Sequence, residues 1–172
     1  MTWRILRQIA RVGTISEPAP EPAPAGAASA DPAVEAIHRD ILAVLGRAVA
    51  IRAVDAGSCN GCELEMHALS NPYYNIEGMG IRFVASPRHA DLLLVTGPVS
   101  AHMEAAVRRT WEAVPGPKRV VAVGDCGCTG GVFGESYASR GRVANVLPVA
   151  VEVIGCPPPP LEILRGILAA LR

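Results

Sequence analysis

Cys59-Asn60-Gly61-Cys62 places two thiols close enough for one turn of backbone to offer both to a single metal centre, or to pair them in a redox disulfide. Two ligands do not close a metal site, so the chain must supply others. It has Cys126 and Cys128, in Gly124-Asp125-Cys126-Gly127-Cys128-Thr129-Gly130-Gly131, and Cys156, in Gly155-Cys156-Pro157-Pro158-Pro159-Pro160. Four chemistries suit such a set: an iron-sulfur cluster on Cys59, Cys62, Cys126 and Cys156, a structural zinc, a redox dithiol, or buried thiols with no chemistry.

Several features weigh between them. Small zinc modules gather two close cysteine pairs on a compact loop framework, whereas these groups are widely separated along the chain. A thioredoxin-like dithiol would use Cys59 and Cys62 and leave Cys126 and Cys156 unexplained. Isolated cysteines are often just small apolar residues. Glycines cluster beside all three cysteine groups: Gly57 and Gly61, then Gly124, Gly127, Gly130 and Gly131, then Gly155. They let backbone fold closely round a site and aim N–H groups at sulfide. Cys156-Pro157 also resembles the Cys-Pro ending of bacterial ferredoxin cluster motifs.

To converge, these groups need a framework. Short apolar runs at 48–54, 81–85, 91–96, 119–123 and 149–154 read as strands, and 62–70, 100–114 and 161–171 read as helices. Near-continuously apolar strands alternating with helices indicate an α/β domain with a mostly parallel sheet covered on both faces. Each cysteine group then follows a strand: Cys59 and Cys62 the first, Cys126 the fourth and Cys156 the last. In an open parallel sheet the strand carboxyl ends share one edge, where loops diverge and ligand sites form.

The amino terminus reads differently. Residues 1–13 form a short basic amphipathic helix, with Trp3, Leu6, Ile9 and Ala10 on one face and Arg4, Arg7 and Arg11 on another. Docking on an anionic membrane surface or a membrane-embedded partner fits that pattern. Residues 14–32 are rich in proline and alanine and suit an extended tether. Asp31 and Pro32 are placed to start a helix over about 33–47, the first element of a domain spanning 33–172.

Composition excludes several classes. With 172 residues, half of them apolar, the chain can bury a core. Net charge is zero, and no basic stripe interleaved with aromatics suggests nucleic acid. Five cysteines without a secretory signal argue against a disulfide framework and for a reducing, cytoplasmic setting. No apolar run approaches the ~20 residues of a membrane-spanning helix.

The three cysteine motifs in order resemble the small subunit of membrane-bound, energy-converting [NiFe] hydrogenases of the formate hydrogenlyase type, and the related 20 kDa subunit of respiratory complex I. The resemblance covers about Val34 to the C-terminus. It implies a flavodoxin-like domain with one [4Fe-4S] cluster at the strand carboxyl-end edge, on Cys59, Cys62, Cys126 and Cys156. Cys128 is extra, either a spare thiol or a competitor of Cys126. The complex I subunit resembles this chain but has adjacent cysteines in its first motif, so the Cys59/Cys62 spacing is closer to the hydrogenases.

The implied role is an electron relay beside the active site of a hydrogenase complex, an oxidoreductase subunit that is not catalytic alone. The alternatives are a complex I-like subunit passing electrons to quinone, and a structural zinc module. Implied partners are a [NiFe]-hydrogenase-like large subunit, a ferredoxin-like iron-sulfur subunit and membrane-embedded subunits reached through the N-terminal helix. The expected location is peripheral, on the cytoplasmic face of the membrane. No residue is assigned a catalytic role. Glu63 and Glu65 suit solvated or capping positions at a helix start, His67, His89 and His102 stand alone, and Met66, Tyr73 and Tyr74 suit core packing better than a partner cavity.

Overall fold

The computed structural model describes residues 48–172 continuously, together with Arg7, Arg11, Pro32, Ala36 and Arg39. The basic N-terminal helix, the tether and the helix anticipated over 33–47 otherwise lie outside the described residues.

Five strands, β1 (Val49–Asp55), β2 (Ile81–Phe83), β3 (Leu92–Thr96), β4 (Arg119–Val123) and β5 (Val151–Val153), form one sheet in the order β2-β1-β3-β4-β5. Every pairing is parallel. This is the flavodoxin-like order, and its direction reverses between β1 and β3. Helices α1 (Gly61–Ala68), α2 (Glu104–Ala113), α3 (Asp125–Thr129) and α4 (Pro160–Leu171) complete the described elements, with 3-10 turns at Pro87–His89 and Val143–Asn145.

The apolar runs are continuous because both faces of the sheet are covered. Alternate residues of β3 enter different cores: Leu92 and Leu94 pack with Met66 of α1 and Ile163, Leu164 and Ile167 of α4, while Leu93 and Val95 pack with Val107 of α2 and Cys128 of α3. β4 divides likewise, with Val121 and Val123 on the first side and Val120 and Ala122 on the second. Gly166 brings α4 onto the sheet: a Cβ there would lie 2.3 Å from Val153 Cγ2.

Among the described residues, the five anticipated strands and the helices anticipated over 62–70, 100–114 and 161–171 are present, most of them with shifted ends. β2 stops at Phe83 and β5 covers only Val151–Val153, though Val84 N–H still donates to Ile51 O and Ala150 N–H to Val120 O. α2 begins at Glu104 because residues 100–103 form a turn, in which Ser100 Oγ accepts from Met103 N–H at 3.2 Å. α3 was not anticipated: five residues rich in glycine and cysteine carry no helical periodicity.

Candidate metal centre

The loop after β1 is shaped by its own side chains. Asp55 Oδ1 accepts from Gly57 N–H and Ser58 N–H, each at 2.7 Å, and Ser58 Oγ accepts from Asn60 N–H at 3.1 Å. Asn60, at φ 71°, turns the chain into α1, so Cys59 lies just before the helix and Cys62 in its first turn. The end of β3 presses against this loop, since a Cβ on Gly97 would lie 2.5 Å from Ser58 N.

The loops after β4 and β5 hold each other. Gly124 N–H donates to Val153 O at 2.8 Å and Asp125 N–H to Gly155 O at 2.9 Å, while Asp125 Oδ1 accepts from Gly155 N–H at 2.8 Å. Asp125 is thus a structural link between the loops that carry Cys126 and Cys156. Thr129 Oγ1 closes the other end of α3, donating to Asp125 O and accepting from Gly131 N–H.

All three loops meet at the carboxyl edge of the sheet. A Cβ on Gly124 would lie 2.5 Å from Cys62 Sγ and 3.5 Å from Gly155 O, so Gly124 sits where the three groups touch. A Cβ on Gly131 would lie 2.8 Å from Cys126 Sγ, and one on Gly61 3.6 Å from Cys59 Sγ and 3.9 Å from Pro157 Cβ. Glycine at these positions keeps the space round the sulfurs open.

The thiols act on one another electrically. Burial pushes Cys62 up to about 12, and Glu63, Cys59, Cys126 and Cys156 add to the effect. Burial likewise raises Cys126, reinforced by Cys156, Cys59 and Asp125. Every neighbouring side chain acting on these two thiols is negative when ionised, so the cluster of sulfurs favours a cationic guest that displaces their protons. Soft thiolates suit iron-sulfur clusters and zinc alike. Among the described residues, no group of three or more His, Cys, Asp or Glu has the geometry to hold a metal ion.

Cys128 stands apart. It is 2% exposed within the core beneath α3, and its Sγ faces Ala122 O and Val153 O at 3.5 Å each. Two positions along a helix turn a side chain through about 200°, so Cys126 and Cys128 point to opposite sides of α3. Of the two readings of Cys128, the structure favours the spare thiol.

Other expectations fare differently. Glu63 is not a solvated cap: its Oε1 accepts from Thr96 Oγ1, and its Oε2 is buried without a hydrogen-bond partner. Thr96, fully buried at the end of β3, thereby ties the first turn of α1 to the sheet. Its only trace in the sequence is a polar residue closing an apolar strand before Gly97. His67, His89 and His102 are exposed. Met66 is a core residue, whereas Tyr73 is 52% exposed, its ring edge-on to Tyr74 at 4.9 Å.

Sheet order and cysteine loops together define a flavodoxin-like α/β domain with a thiol-lined site at its carboxyl edge. The chain belongs to the family of the NADH ubiquinone oxidoreductase 20 Kd subunit, which matches residues 59–170. This is a family of oxidoreductase subunits. The chain is 39% identical over 141 residues to formate hydrogenlyase subunit 7 of Escherichia coli (strain K12), covering 82% of this chain and 55% of that one. It is 45% identical over 128 residues to the probable membrane-bound hydrogenase subunit mbhJ of Pyrococcus furiosus, covering 74% and 77%. A chain in the solved structure of the membrane-bound sulfane sulfur reductase, an archaeal respiratory membrane complex, matches with TM-score 0.63 and 32% identity, over 73% of this chain and 69% of that chain. The chain thus spans about half the length of the formate hydrogenlyase subunit. No helix among the described residues is long and apolar enough to cross a membrane.

Proposed function

We propose that this chain carries one [4Fe-4S] cluster on Cys59, Cys62, Cys126 and Cys156 and relays electrons beside the active site of a membrane-associated [NiFe] hydrogenase complex. The observation that supports this best is convergence: three loops, after β1, β4 and β5, bring four thiols into mutual electrostatic contact while Cys128 is turned into the core. A bound [4Fe-4S] cluster supplies one-electron transfer. The chain's own residues hold it through four thiolates, keep its space open with Gly124 and Gly131, and fix the loops through Asp55, Asp125 and Thr96.

The edge is also suited to a partner. Leu64 and Ile154, each near a ligand loop, are 61% and 68% exposed, and Val132, Phe133 and Tyr137, beyond α3, are 95%, 62% and 98% exposed. Large apolar groups in such exposure mark an interaction surface. A [NiFe]-hydrogenase-like large subunit would cover this edge, with a ferredoxin-like subunit delivering or removing electrons. The basic helix of residues 1–13 would reach membrane-embedded subunits, placing the domain on the cytoplasmic face of the membrane.

Transfer to quinone, as in the complex I subunit that gives the family its description, is the second reading. The Cys59/Cys62 spacing and the likeness to a membrane-bound hydrogenase subunit favour the first. Nickel, iron and acid-labile sulfide analysis of the anaerobically purified complex separates them. Nickel with iron and sulfide supports the hydrogenase, iron and sulfide without nickel supports the quinone reductase, and zinc without sulfide ends both.

A further inference from the structure

Glu63 follows Cys62 directly in the first turn of α1, and its carboxyl is held against the end of β3, where Thr96 Oγ1 donates to Oε1. Oε2 is sealed from solvent and accepts no hydrogen bond. Among the described residues Glu63 makes no ion pair. A carboxylate so placed is neither screened by water nor neutralised by a cation in contact with it, and a single hydroxyl from another element keeps it there.

Its charge reaches the thiol edge. Burial does most to raise the Cys62 thiol, and Glu63 comes next, ahead of Cys59, Cys126 and Cys156. The same field acts on whatever Cys62 binds. Reduction adds one negative charge to an iron-sulfur cluster, and the surrounding charge is among the factors that set its potential. A carboxylate beside a ligand opposes the incoming electron, so it lowers that potential, and it does so more strongly in a low dielectric than at a solvated surface.

We propose that Glu63 holds the potential of the cluster on Cys59, Cys62, Cys126 and Cys156 low through a standing negative charge, and that Thr96 is the positioning residue that keeps this charge in place. The effect comes from position and needs no proton movement. It rests on the electron-relay reading, because it presupposes the cluster, and it holds whether the partner handles hydrogen or quinone.

The test is a potentiometric EPR titration of the complex purified anaerobically through a tag on this chain, following the cluster signal that Cys62→Ala abolishes. The wild type is compared with Glu63→Gln, Thr96→Val and Thr96→Ser. Glu63→Gln removes the charge and keeps the shape, whereas Thr96→Val removes the hydroxyl and keeps the branched side chain. Both are expected to raise the midpoint potential with iron and acid-labile sulfide at the wild-type level. In Thr96→Val the rise follows because a carboxylate without its donor leaves the buried position for water, which screens it. Thr96→Ser restores the donor and should titrate as the wild type. Glu77→Gln removes the same formal charge from an exposed position and should leave the midpoint unchanged.

A midpoint unmoved or lowered in Glu63→Gln would overturn the proposal, as would an equal rise in Glu77→Gln. A wild-type midpoint in Thr96→Val would overturn the part assigned to Thr96. Loss of the cluster from Glu63→Gln and Thr96→Val alike would make the pair a structural tie and overturn the electrostatic role. If Cys62→Ala abolishes no cluster signal, the electron-relay reading fails and this role fails with it; a Cys62-dependent signal with an unmoved midpoint defeats this role alone.

Discussion

Cys126 and Cys128 are separated by one glycine, yet they occupy opposite environments, and the proposed cluster site uses only the first. Cys126 lies with Cys59, Cys62 and Cys156, whereas Cys128 is enclosed by backbone carbonyls and apolar side chains. Cys156→Ala is expected to abolish the intact cluster and turnover, read by iron and sulfide content, whereas Cys128→Ala should retain both. Burial pushes the Cys128 thiol up to about 11, with Glu152 adding to the effect. A raised thiol pKa means that the folded state holds the proton more tightly. The resulting stability is fully present below the unfolded value near 9 and is lost as pH rises from about 9 to 11. At about 1.4 kcal/mol per pKa unit, a shift of about two units amounts to ~3 kcal/mol. Urea unfolding at pH 8 and pH 11 should therefore show a smaller pH-dependent loss for Cys128→Ala than for the wild type; equal losses would contradict the assignment. The sequence left Cys128 undecided because α3 is too short to display a period from which side-chain direction could be read.

At the scale of elements, the strands were legible because a sheet covered on both faces writes uninterrupted apolar runs, as in Leu92–Val95 and Val120–Val123. Placing each cysteine group after a strand was enough to predict the shared edge. What the sequence did not show is how the loops lock together. The links from Asp125 to Gly155 and from Thr96 to Glu63 join residues 30 and 33 positions apart, and no local pattern announces them. Nor did Glu63 at a helix start announce burial, because its setting depends on β1, β2 and β3 packing round it. Gly124 is the position where this geometry is tightest, at φ +85° with Cys62 Sγ at 2.5 Å from any added Cβ. Gly124→Ala should lower iron and sulfide content and also lower Tm, since it introduces both a strained backbone and a clash. An unchanged Tm together with full iron content would show that the edge is looser than described.

At the scale of the whole molecule, the described residues place α1 and α4 on one face of the parallel sheet and α2 and α3 on the other, with Cys59, Cys62, Cys126 and Cys156 following strands at its carboxyl edge. Exposed apolar residues border that edge, as the proposed relay beneath a partner subunit requires. The account stands on one claim, that four cysteines from three loops hold one cluster. Its most direct test is the iron and acid-labile sulfide content of the anaerobically purified complex, compared between the wild type and Cys62→Ala. The account predicts the loss of one [4Fe-4S] equivalent per chain in the variant. Equal iron and sulfide content in the two would contradict it.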